Sequence, residues 1–159
     1  MILFGVASAQ EQAAELKVLD RWVGTWKTEA INKTAEWNPK ETKIAGTVTG
    51  KWILGGKFVE ESWSSQAGGS EHRFLLGYDP HRKMYRNWYF GSDGTTGEGT
   101  GTWDEKTNTM TWKTEPGPEL TGNAMCRFLD ADTYEWTYII RDGAGKVYLD
   151  MKGKHTRVK

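Results

Sequence analysis

The chain changes its hydrophobic period once, near its start. Residues 11–22, "EQAAELKVLDRW", place Ala13, Leu16, Leu19 and Trp22 at helical spacing, and Val23 follows. That spacing predicts one short helix, ended by Gly24. Beyond Gly24 the alternation becomes period two and stays so, which predicts strands at 25–32, 43–53, 57–64, 71–78, 84–91, 96–103, 108–115, 122–129, 133–141 and 146–156. The breaks between them are turn chemistry: "LGG" at 54–56, "QAGG" at 66–69, "YDPHRK" at 78–83, "GSDG" at 91–94 and "DGAGK" at 142–146. Most links are too short for a parallel crossover, so successive strands pair antiparallel. A meander of about ten strands curls and closes, which predicts an all-β, up-and-down antiparallel barrel with one short N-terminal helix.

Composition agrees. Nine Trp, six Tyr, five Phe and 19 Gly in 159 residues favour strands and tight turns. Residues 10–159 read as a single barrel domain, with no linker or composition shift, and the echo of "TWKTE" at 25–29 and 111–115 has no fixed period. Lys plus Arg and Asp plus Glu are both 21, scattered along the chain, so no basic patch points to nucleic acid. One cysteine, Cys126, makes an intramolecular disulfide framework impossible. No apolar run reaches the roughly 18 residues of a membrane-spanning helix. Residues 1–9, with an apolar 2–7 and Ala7-Ser8-Ala9 before Gln10, read as the remnant of a secretory signal peptide. The expected location is therefore secreted or periplasmic, and cytoplasmic if those residues are not a signal remnant.

Candidate site residues come from strands that carry a polar group on an apolar face. Glu61 lies between Val59 and Trp63; Arg86 lies among Met84, Trp88 and Phe90; Arg127 lies between Met125 and Leu129; His72 shares the Phe74–Leu76 face. An unpaired buried charge is expensive, so each such group pairs, meets a ligand, or sits on an outer face covered by aromatics. Trp136 and Tyr138 share a face in 133–141, and Cys126 alternates with Ala124 and Phe128 as a buried thiol.

The chain resembles the bacterial family known as domain of unknown function 1579. The resemblance runs through "VGTWKTEA" at 23–30, "KWILGGKFVEESWSS" at 51–65, "EHRFLLGYDPHRKMYRNWYFGSDG" at 71–94, "GTGTWDEKTNTMTWK" at 99–113, "DADTYEWTYIIRDGAGKV" at 130–147 and "LDMKGKHTR" at 149–157. The chain departs from the family pattern at "NAMCRF", 123–128, where a histidine is expected in place of Cys126. The family is similar to calycins, the lipocalin and fatty-acid-binding type barrels. In those a short helix leads into Gly-x-Trp, here Gly24-Thr25-Trp26, and the resemblance implies that Trp26 plugs the closed end.

Three functions compete. The first is a binding barrel for a small apolar or amphipathic ligand, with a carboxylate-bearing one among the options. Glu61, His72, Arg86 and Tyr138 would be its polar contacts and Trp63, Trp88 and Trp136 its walls. The second is an enzyme on the same barrel with Glu61, His72 and Arg86 as base, shuttle and anion clamp, although no recognisable catalytic motif is present. The third is a haem-binding barrel with His72 as axial ligand, since His81 lies in the Pro80 turn and His155 near the C-terminus. No cofactor or metal is otherwise expected: one Cys and three scattered His make no zinc pattern. An interaction role would show instead as an exposed aromatic patch. The sequence leaves the oligomeric state open.

Overall fold

The structure is a computed structural model that describes residues 13–159. The signal-like segment at 1–9 lies outside the described residues. One short helix, α1 (Ala14–Leu19), runs into a single 3-10 turn (Asp20–Trp22). Ten strands follow: β1 (Gly24–Asn32), β2 (Thr42–Ile53), β3 (Phe58–Ser65), β4 (Glu71–Asp79), β5 (Met84–Gly91), β6 (Thr96–Asp104), β7 (Thr109–Gly117), β8 (Leu120–Phe128), β9 (Thr133–Asp142) and β10 (Val147–Arg157). Every strand boundary falls within two residues of its sequence expectation.

Each strand pairs antiparallel with the next, and β1 also pairs with β10, so the sheet closes into a ten-stranded barrel. Closure removes both sheet edges, and with them the unpaired backbone that edges expose. Glycine permits the tight curvature. The inward face of β6 is Gly97, Gly99 and Gly101, and the Trp112 ring occupies the space that a Cβ at Gly101 would need. Gly46, Gly122 and Gly153 similarly lie beneath Trp63, Tyr138 and Trp136. Large rings over bare backbone let a narrow barrel hold many aromatics.

The helix closes one end. Leu16, Leu19 and Trp22 are buried against Trp26, Val48, Val59, Leu76, Tyr85, Met110 and Phe128. Gly24 turns the chain from the 3-10 segment into β1 at φ +125°, in the region that favours glycine. Trp26 then stands over the base with no exposed surface, as the calycin resemblance implies. Its Nε1 donates to the Trp22 carbonyl at 3.1 Å, its ring meets Tyr134 edge-on at 5.0 Å, and the Arg157 guanidinium lies 4.0 Å from the ring centre. Burying roughly 200 Å² of ring at about 25 cal/mol per Å² contributes about 5 kcal/mol before entropy. The opposite end, formed by the links after β1, β3, β5, β7 and β9, is the mouth.

Candidate functional site

Strand register fixes which side chains enter the barrel. Val59 is fully buried, so Glu61 and Trp63 on the same face of β3 point inward. Across the ladder Glu61 pairs with Phe74 and Trp63 with His72, which places His72 inside as well. Trp136 and Tyr138 follow buried Tyr134 on the inner face of β9. Five of the seven expected site residues therefore share the interior.

Arg86 and Trp88 do not. On β5 the buried residues are Tyr85 and Asn87, so the inner face is Tyr85, Asn87 and Tyr89. Arg86 lies on the outer wall, bonded to Glu98 at 2.7 Å and 5.4 Å from the Trp88 ring centre. Trp88 packs there against Phe58 at 6.0 Å. Arg127 is also outside, paired with Glu135 at 3.1 Å between exposed Met125 and Leu129. The physical reason is common to both strands. They carry apolar side chains on both faces, so hydrophobicity alone does not say which face is the core. An interior site has to be built without Arg86 and Trp88. The triad of Glu61, His72 and Arg86 is thereby divided by the barrel wall.

Immediately above the Trp26 base the interior turns polar. Thr28, Glu61, Asn87 and His155 are all buried, with Trp136 and Cys126 paired directly across β8 and β9. His155 stacks on Tyr134 at 4.4 Å and lies 6.0 Å from Trp136. Thr28 is its cross-strand neighbour on β1. Thr28 Oγ1, Trp136 Nε1 and His155 Nδ1 are sealed from solvent with no hydrogen-bond partner among the described residues. Glu61 has neither a hydrogen bond nor an ion pair among them. Each such group costs about 1–3 kcal/mol relative to a satisfied one.

Burial also sets the protonation states. Without a cation nearby, desolvation raises the Glu61 carboxyl to a pKa of about 8, so it is mostly protonated at neutral pH. The same cause lowers His155 to about 3 and His72 to about 4, so both imidazoles are neutral. The Cys126 thiol is pushed far up by burial and then by the Glu61 carboxyl, which makes it an inert thiol.

Toward the mouth the walls are aromatic. Trp63 and His72 stack with centroids 4.8 Å apart and planes 7° from parallel. Phe74 and Tyr89 pack beside them, each 5.4 Å from His72. Tyr138 shares a 3.0 Å hydrogen bond with Thr114. Sequence reasoning passed over His155 because of its position near the C-terminus. The signal was present, since β10 continues the Leu149–Met151 face through Gly153 to His155.

Two furrows mark the outside of the barrel. One, of about 610 Å³, crosses β2, β1, β10 and β9 between the outward rows Lys43-Ile31-Lys152-Thr137 and Ala45-Glu29-Lys154-Glu135. The other crosses β2 to β5 between outward rows that include Ser62, Arg73 and Phe90. Both are troughs of the pleat, and inner-face residues contribute to their floors: Trp136 and Gly153 in the first, Trp63 and His72 in the second. No group of three or more metal-ligating side chains occurs among the described residues. No helix among them is long and apolar enough to cross a membrane.

Over residues 11–157 the chain matches the family described as protein of unknown function DUF1579, and it belongs to that family. Among solved structures it is similar to Rv2717c from M. tuberculosis, with TM-score 0.69 and 14% identity, covering 94% of this chain and 100% of that one. It is also similar to the S-type phycobiliprotein lyase CPES from Guillardia theta, with TM-score 0.58 and 17% identity, covering 94% of each chain. At such identities the likeness establishes the shared barrel fold. No curated protein matches the chain.

Proposed function

We propose that this DUF1579 member is a binding protein that encloses one small, largely apolar molecule between the Trp26 base and the mouth. One observation carries the reading: four inward polar groups, on Thr28, Glu61, Trp136 and His155, have no hydrogen-bond partner among the described residues, in an interior rich in aromatics. Ligand pockets have this composition, with apolar walls and a few polar groups that fix orientation. A fold that leaves several such groups unsatisfied gives up several kcal/mol, and a bound molecule that pairs with them restores it. Trp63, His72 and Tyr138 would line its path, and the signal-like N-terminus supports a place outside the cytoplasm.

The enzyme reading loses its anion clamp with Arg86 on the outer wall. The test of binding is native mass spectrometry on gently purified protein. The expected result is a one-to-one adduct that is released on denaturation and reduced in Trp136→Phe. Protein that runs only at its bare mass, and whose melting temperature no small aromatic compound raises, overturns the reading. A Soret band on haem titration would instead make haem the occupant.

A further inference from the structure

The distribution of charge around the barrel says what kind of molecule the interior takes. Along the strands every lysine and arginine points outward except Arg157, as the pairing of β1 to β10 requires. Arg157 lies beneath Trp26, where its guanidinium donates to the carbonyls of Val23 at 2.6 Å and Ala131 at 3.0 Å. Among the described residues, therefore, no strand cation lies above Trp26 to receive an acid. The groups present are neutral indole, imidazole, amide and hydroxyl groups and the Glu61 carboxyl.

We infer that the interior selects an uncharged, hydrogen-bond-accepting aromatic molecule and rejects a carboxylate on the same skeleton. The inference rests on the interior-binding reading above and narrows it. Trp136 Nε1 can only donate, and it is unpaired. The Asn87 amide can donate or accept, and it faces the same interior from β5. A neutral carbonyl or ring nitrogen satisfies the indole N–H without carrying a charge out of water. A carboxylate brings a charge whose desolvation costs several kcal/mol, and no guanidinium or ammonium offsets it. Glu61, kept protonated by burial, brings no positive charge that could offset it. The carboxylate clamp expected of Arg86 is closed to this chain, since Arg86 is outside and paired with Glu98.

The test uses a matched pair on the full protein: naphthalene-2-carboxamide and naphthalene-2-carboxylate, titrated by calorimetry at pH 6.5. The carboxamide is expected to bind at least ten-fold more tightly. Trp136→Phe, which keeps a ring and removes the donor, should weaken the carboxamide several-fold and leave the carboxylate unchanged. Equal or tighter binding of the carboxylate overturns the inference and leaves interior binding standing. So would an anion found as the co-purifying adduct. Binding of neither probe removes the interior site and the inference with it.

Discussion

Trp26 and Trp136 are both inward tryptophans, two tiers apart in one barrel, and the sharpest difference between them is the state of the indole N–H. Trp26 has its Nε1 bonded to the Trp22 carbonyl, and its neighbours at the closed end are equally well satisfied. Tyr85 Oη donates to the Glu15 carbonyl at 3.0 Å, and Trp52 Nε1 donates to Asp20 at 2.8 Å. Trp136 Nε1 has no partner, and neither do Thr28 Oγ1 and His155 Nδ1 around it. Hydrogen-bond accounting therefore separates what size and hydrophobicity do not. The closed end is built for stability, and the tier above it keeps its polar groups free for something else.

The largest expected effect lies at the base. Trp26→Ala removes a fully buried ring together with its hydrogen bond, its edge contact with Tyr134 and its face under Arg157. The expected loss is about 3–5 kcal/mol in denaturant unfolding, or roughly 10 °C in melting temperature. Trp136→Phe should cost far less, because no hydrogen bond is lost and an orphaned donor disappears. Equal costs for the two would erase the distinction between the tiers.

A second expected effect is the dependence of stability on pH, which belongs to the polar tier alone. Glu61 ionises near pH 4.5 in the unfolded chain and near 8 in the fold. Between those values the native state holds the extra proton, so stability falls as pH rises, by up to a few kcal/mol in all. Above pH 8 the penalty is constant. Glu61→Gln should thus be more stable than the parent at pH 8–9, with the difference vanishing near pH 4. His155 acts on the other limb. Its pKa falls from 6.5 to about 3 on folding, so the unfolded state takes up the proton and stability drops as pH falls below 6.5. Flat urea midpoints from pH 5 to 9 would contradict the burial of both groups.

The fold was legible because closure of a meander follows from local signals: period-two alternation, short turns and one helical stretch before Gly24. Each of these is a property of neighbouring residues. The interior was legible where only one face of a strand is apolar, as in β9, where Tyr134, Trp136 and Tyr138 oppose Thr133, Glu135 and Thr137. It failed on β5, where Met84, Trp88 and Phe90 on one face compete with Tyr85 and Tyr89 on the other. The choice there is made across the sheet, by Gly101 opposite Tyr85 and by Phe58 packing over Gly77 opposite Arg86. Such contacts join residues far apart in sequence. His155 was missed for a related reason: its environment is made by Tyr134 and Thr28 from two other strands.

The smallest expected effect is at Arg86, and it tests the division between inside and outside. The guanidinium bridges to Glu98 over the Trp88 ring, with 18% of its side chain accessible against 64% for Glu98. A pair this open to water contributes about 0–1 kcal/mol, and the cation–π contact adds about 0.5–1 kcal/mol. Arg86→Ala should therefore lower stability by about 1–1.5 kcal/mol and leave the affinity for naphthalene-2-carboxamide within two-fold of the parent. The guanidinium and the interior are separated by the backbone of β5, whose inner face at this level is Tyr85 and Asn87. A ten-fold loss of affinity in a variant that still folds would mean that the outer aromatic wall of Phe58, Trp88 and Arg86 is where the molecule binds. The free polar groups of the interior would then belong to buried water instead of a ligand.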